Sequence, residues 1–226
     1  RRYEAGTQSR TARLNRADGS YYDIFNSAVG LDSAGRTQLH HKGKLVIGVE
    51  NTPTVIFDLM QFLVIDLGGV VGQIGMGQHG TAFAHAGMRM GPAICYEGLY
   101  GDFYGDFVRR GAQFMAIISN DGWWGDTPGY KHLFTISRLR AIEHRRAIAR
   151  SANTGMSGFI SARGDIGETL GWKKRGVISA AVPLNSELTF YTRYGDYLGR
   201  ISEYLTLLCV LYYIAYRVKR KNYLVK

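Results

Sequence analysis

The chain has 226 residues, with 28 Lys+Arg against 18 Asp+Glu, a formal net charge of +10 and 46% hydrophobic residues. That apolar content excludes a disordered chain, and only two cysteines exclude a disulfide scaffold. The length suits one domain with an appendage, or a piece of something larger, and a mean hydropathy of -0.13 excludes a polytopic membrane protein while leaving room for one span.

The chain opens on Arg1 with no signal-like apolar stretch, so the expectation is an N-terminally incomplete sequence. The turn Asp18-Gly19 precedes a predicted strand over Tyr21–Leu31. Lys44–Val49 is a short apolar run ending at Glu50. Val55–Leu67 is apolar with breaks at Asp58 and Asp66, and periodicity leaves helix and strand both open. Residues 68–80 carry six glycines and read as a loop with tight turns.

A strand over Met88–Ile94, a sharp turn at Cys95-Tyr96-Glu97, a weak helix over Leu99–Arg110 stopped by Gly111, and a buried strand over Phe114–Ser119 make a parallel βαβ unit. Asp126-Thr127-Pro128 caps a helix predicted to run to about Arg150, whose charges leave no clean apolar face. Gly155–Ala162 and Val177–Val182 read as two further strands, with a turn at Arg163-Gly164-Asp165. Alternation of this kind predicts an α/β domain.

The last apolar run, Ile201–Tyr216, is short for a membrane core that needs about 20 residues. Tyr204, Tyr212, Tyr213 and Tyr216 suit the interfaces, and the basic cluster Arg217, Lys219, Arg220, Lys221 and Lys226 would lie on the cytoplasmic side. The alternative is an amphipathic or buried helix packed on the domain. Positive charge is spread over the ends and helices without a recognised binding motif, so no nucleic-acid partner is expected.

Cys95 is the residue that needs an explanation. A thiol between a strand and a helix feels the positive end of the helix dipole and stands at a sheet edge where ligands bind. A buried structural cysteine is the competing reading, and Cys209 in the apolar run reads as a small hydrophobe. A nucleophilic thiol needs a base and an oxyanion partner. The six histidines are scattered, which leaves a Cys-His pair open but unsupported. The cluster His40-His41-Lys42-Gly43-Lys44 and Glu97 are the other candidates, with a solvated charged turn as the alternative for Lys42 and Lys44.

Several segments are recognisable: Lys42-Gly-Lys-Leu45-Val46 with Glu50, Ile94-Cys95-Tyr96-Glu97, and Ser119-Asn120-Asp121-Gly122-Trp123-Trp124-Gly125-Asp126. With Arg138–Ser151, Asn153-Thr154-Gly155 and Thr192-Arg193-Tyr194-Gly195-Asp196, they resemble the nitrilase superfamily, and more closely its membrane-bound branch, the apolipoprotein N-acyltransferases. The resemblance covers nearly the whole chain. It implies a nitrilase-like α-β-β-α sandwich, N-terminally incomplete, over residues 1–199, and a C-terminal transmembrane helix with a basic tail over 200–226.

By the same resemblance Cys95 is the nucleophile that holds a fatty acyl group as a thioester, Lys42 is the catalytic lysine and Glu50 orients it. Tyr96, Glu97 and Asn120 support the site, and Trp123 is an aromatic near it. The family's general-base glutamate lies upstream of Lys42; Glu4 is too close to match it, so these residues alone are expected to be inactive. Ile47-Gly48-Val49 stands where many members have Pro-Phe-Gly. The implied partners are a phospholipid acyl donor, a diacylglyceryl-modified lipoprotein acceptor and the bacterial inner membrane, with the catalytic domain periplasmic and the C-terminus cytoplasmic. No metal or organic cofactor is implied. Two alternatives remain: an amidase or nitrilase using water as acceptor, and a catalytically dead, membrane-tethered binding module.

Overall fold

The computed structural model describes residues 2–3, 7, 9, 11–47, 50 and 74–224. The helix or strand expected over Val55–Leu67, and the first part of the glycine loop, lie outside the described residues. Strands β1 (Arg2–Tyr3), β2 (Arg13–Leu14) and β3 (Tyr21–Tyr22) form a small antiparallel sheet in the order β1-β3-β2. The single strand expected over Tyr21–Leu31 is in fact two, β3 and β4 (Ser27–Leu31). Asp23 interrupts it by turning inward, where it accepts hydrogen bonds from the hydroxyls of Tyr3 (2.5 Å), Ser9 (2.6 Å) and Thr11 (2.8 Å).

Strand β4 pairs antiparallel with β5 (Thr37–His41), setting Ala28 opposite His40. Strand β6 (Phe83–His85) joins β7 (Met88–Ile94) through Ala86-Gly87, both with positive φ. That backbone twist matches a two-residue hairpin turn. After β7 comes a 3-10 turn, Cys95–Leu99, then helix α1 (Gly101–Arg109) and strand β8 (Phe114–Asn120), parallel to β7. This is the expected βαβ unit, with Gly111 at φ +98 closing the helix.

Helix α2 (Pro128–His144) begins as predicted, with the Thr127 hydroxyl accepting from the Gly129 N–H. It stops at His144, short of the expected Arg150. Arg145 adopts the left-handed conformation. The buried Arg146 then turns its guanidinium onto the carbonyls of Ala112 (2.7 Å), His144 (3.2 Å) and Glu187 (2.9 Å). These donors help satisfy carbonyls at the helix end and allow the chain to leave it. Residues Ile148–Asn153 become strand β9, parallel to β8, followed by β10 (Ser157–Ile160) and β11 (Ile166–Leu170), both antiparallel. Val177–Val182 forms no strand, and Val177 is 95% exposed. The chain ends in helices α3 (Phe190–Tyr194) and α4 (Tyr197–Leu224).

The main sheet runs β11-β10-β9-β8-β7-β6. On one face Tyr104, Phe107 and Val108 of α1 and Phe134 and Ala141 of α2 pack on Ala93, Met115, Ile117, Ile148 and Ile160. The neighbour of Ala93, Ile94, points the other way and meets Ala28 and Phe83. The β4–β5 hairpin therefore lies on the opposite face from the helices, which gives a helix layer, a mixed sheet and a second β layer: a nitrilase-like α/β fold. Residues Tyr197–Arg217 of α4 form a helix long and apolar enough to cross a membrane, unburied by the rest of the chain. At 1.5 Å per residue they span about 30 Å.

Candidate active site

Cys95 follows the last residue of β7 and has φ +46, a left-handed conformation that non-glycine residues rarely hold. Such strain persists where the surroundings over-determine it. The helix dipole expected at the thiol is displaced: Cys95 opens a short 3-10 turn, and α1 starts only at Gly101. Cys95 is half-buried and lines a cavity of about 640 Å³. Lys42, Glu50, Tyr96, Asn120 and Trp123 line the same cavity, together with Asn26, Asn153, Trp124 and the apolar side chains of Val46, Ile47, Ile94 and Ile118. It opens at the carboxyl ends of the parallel strands β7 and β8, where α/β sheets place their ligands.

Lys42 follows β5 and is 2% exposed. Its ammonium donates to both Glu50 oxygens, at 2.9 and 2.7 Å. Glu50 also accepts from the Asn26 amide (2.8 Å) and the Val46 N–H (2.8 Å). Burial pushes the Glu50 carboxyl up, but the hydrogen bonds from Lys42, Val46 and Asn26 and the Lys42 charge outweigh it and hold the group below the usual range. The pair keeps a cation fixed at the cavity wall, where it can stabilise negative charge developing on a substrate oxygen.

Glu97 does not line the cavity; it lies fully buried beneath it. Its carboxylate accepts from the Ile94 N–H (2.6 Å), the Gly43 N–H (2.6 Å) and His40 Nε2 (3.1 Å to each oxygen). Tyr96 stacks edge-on against Tyr100 with centroids 5.4 Å apart.

The far wall rests on a buried ion pair. Arg150 donates to both oxygens of Asp121 (3.0 and 2.8 Å), and the Ser119 hydroxyl adds a bond of 2.5 Å. This pair anchors the turn that carries Asn120, Trp123 and Trp124. Asn120 accepts from the Gly122 N–H at 3.2 Å, while Trp123 and Trp124 are 55% and 46% exposed. Sequence reasoning did not single out Asn26, Asn153 or Trp124 as site residues. Trp124 sits inside a recognised motif, but Asn26 is 24 residues from the glutamate it holds and carries no local signal.

A strained cysteine, a buried lysine–glutamate pair and a polar turn thus meet in one cavity at the carboxyl edge of this sheet. The sequence matches the carbon-nitrogen hydrolase family over residues 9–188, and the chain belongs to that family. It is 37% identical over 186 residues to the apolipoprotein N-acyltransferase of Chlorobaculum tepidum, covering 80% of this chain and 35% of that protein. It is also 42% identical over 97 residues to the apolipoprotein N-acyltransferase of Rhizobium meliloti, covering 43% of this chain and 18% of that protein. The chain thus spans about a third or less of the length of these relatives. Among solved structures, Nit3 of Saccharomyces cerevisiae, a member of branch 10 of the nitrilase superfamily, is similar with a TM-score of 0.50 at 18% identity. That match covers 73% of this chain and 54% of Nit3, and it shows the fold.

Proposed function

We propose that this chain belongs to an apolipoprotein N-acyltransferase, supplying much of its catalytic domain over residues 1–199 and a membrane span over 200–226. Cys95 attacks the ester carbonyl of a phospholipid. A C–S bond forms, the ester C–O bond breaks, and the lysophospholipid leaves carrying the proton that the thiol gave up. The α-amine of a diacylglyceryl-modified cysteine then attacks the thioester. A C–N bond forms, the C–S bond breaks, and the amine's proton returns to the sulfur. Splitting one acyl transfer in this way replaces a hard step with two easier ones.

Lys42, held by Glu50, stabilises the oxyanion in both halves. Tyr96 and Asn120 shape the polar side of the cavity, Trp123 its apolar side, and Glu97 supports the turn. The base that takes the thiol proton is a carboxylate upstream of Lys42, in the part of the protein that this chain does not span. The catalytic domain faces the periplasm and the basic tail the cytoplasm, by the positive-inside rule. Helix α4 keeps the cavity close to lipid, which raises the local concentration of donor.

The observation that carries this reading is Cys95 and the Lys42–Glu50 pair lining one mainly apolar cavity in a chain with an unburied apolar helix. An amidase would share the nucleophile and lysine but would not need the helix. The test is acyl transfer by the full-length protein in proteoliposomes, from phospholipid to a diacylglyceryl-cysteine peptide. N-acylation that Cys95→Ala abolishes supports the proposal. Release of free fatty acid without N-acylation supports a hydrolase, and neither product supports a binding module.

A further inference from the structure

One buried carboxylate reaches both halves of the site. Glu97 accepts from the N–H of Ile94, the residue before Cys95, and from the N–H of Gly43, the residue after Lys42. Its remaining described donor is His40, whose Nε2 lies 3.1 Å from each oxygen. Because both neighbours of Nε2 are carboxylate oxygens, that nitrogen carries the proton. His40 is itself completely buried. Its ring packs edge-on against Phe107 of α1 at 4.8 Å, and its Nδ1 has no hydrogen-bond partner among the described residues. The ring's polar purpose is therefore directed wholly at Glu97.

We propose that His40 is a positioning residue: its Nε2–H fixes the Glu97 carboxylate, which in turn sets Cys95 and Lys42 relative to each other. Cys95 sits in a strained conformation that needs such a support, and the Ile94 bond lies directly next to it. Register also contributes, because β5 pairs with β4 so that His40 faces inward opposite Ala28 while Lys42 emerges two residues later at the cavity. Without the histidine donor, part of a buried carboxylate is left unsatisfied, and the carboxylate is free to swing. The reaction needs its groups held to within fractions of an ångström, so this loss acts on turnover more than on binding.

The inference rests on the proposed thioester chemistry, and its test separates the two. In the full-length protein, His40→Gln places an amide N–H near the position of Nε2, whereas His40→Asn places one near Nδ1, short of Glu97. Both variants are polar and uncharged. The substrates are a phospholipid with an acceptor peptide and, independently, a p-nitrophenyl short-chain ester that tests Cys95 acylation without any lipid. The expected result is that His40→Asn lowers kcat for the ester at least tenfold with KM within threefold, while His40→Gln stays within threefold of wild type. His40→Asn within threefold of wild type overturns the proposal. Equal losses in both variants overturn it too, since reach to Glu97 would then not matter. If His40→Asn does not fold, as judged by its melting temperature, His40→Leu carries the same prediction and the same refutation. An enzyme that opens the ester but never acylates from phospholipid refutes the acyltransferase reading and leaves this test standing.

Discussion

The Lys42–Glu50 pair can be tested as a unit by a double-mutant cycle. Lys42 has a side chain 2% exposed, against 17% for Glu50. Breaking a buried ion pair by removing one partner costs about 3–5 kcal/mol, because the other charge is left uncompensated. Glu50→Gln strands the deeper charge, and the new amide oxygen still accepts one hydrogen bond, so its loss sits near the low end, about 3 kcal/mol. Lys42→Met strands a carboxylate that keeps the Val46 N–H, the Asn26 amide and some water, so about 1–2 kcal/mol is expected. The double variant removes both charges and should cost about 2–3 kcal/mol, which leaves a coupling near 2 kcal/mol. Urea unfolding of the full-length protein in detergent, followed by tryptophan fluorescence, measures all four corners. Additive single effects, with a coupling under about 0.5 kcal/mol, would refute the view that the two groups hold each other.

The same carboxylate predicts a pH effect. Its folded pKa lies below the ordinary value of 4.5, so its stabilisation is complete above that value and is lost as pH falls through the lower folded one. Acid titration of stability should therefore be steeper in wild type than in Glu50→Gln below pH 4.5; parallel curves would contradict this. His144, fully buried at the end of α2 with Nδ1 2.9 Å from the Thr192 hydroxyl, has its pKa pushed down to about 3 by burial and then by the Arg140 charge. The unfolded chain then binds a proton that the fold refuses, so stability falls as pH drops from 6.5 toward about 3, by up to about 1.4 kcal/mol per pH unit. His144→Asn, which keeps an atom near Thr192, should flatten that window, and an unchanged slope would count against it. Gly155→Ala would drive a Cβ into the Asp121 carboxylate, so it should destabilise the protein by about 2 kcal/mol and lower activity through the Asn120 turn. A melting temperature equal to wild type would mean that this ion pair has room to move.

The parts of the fold written in continuous apolar runs were legible. Phe114–Ser119, a continuous apolar run, predicted the central strand β8, and Met88–Ile94, ahead of the Cys95 turn, predicted β7, which lies parallel beside it. Strand β5, with the sequence Thr-Gln-Leu-His-His, was not legible: its one aliphatic side chain, Leu39, is 52% exposed, and its buried residue is a histidine satisfied from 57 positions away. The start of strand β9 falls inside the helix expected to run to about Arg150, because Arg145, Arg146 and Arg150 continue the mixed charged pattern of the helix before it. In the fold Arg146 caps carbonyls and Arg150 pairs with Asp121, contacts with no local pattern. Val177–Val182 has the composition of a strand but pairs with no strand among the described residues, and composition cannot supply a partner. At the site, the family resemblance brought out Cys95, Lys42, Glu50, Tyr96, Asn120 and Trp123, which line the cavity, but not Asn26, Asn153 or Trp124. It could not show that Glu97 lies beneath it, or that Asn26 and His40 hold the two glutamates.

Acyl transfer as proposed requires that the Cys95 sulfur carry an acyl group. The most direct measurement is mass spectrometry of the full-length protein after incubation with phospholipid and no acceptor. A thioester at Cys95 predicts a fatty acyl mass on the peptide containing Cys95, labile to neutral hydroxylamine, absent in Cys95→Ala, and discharged when a diacylglyceryl-cysteine peptide is added. An adduct on another residue, or an unmodified Cys95 in a preparation that transfers acyl chains, would contradict it.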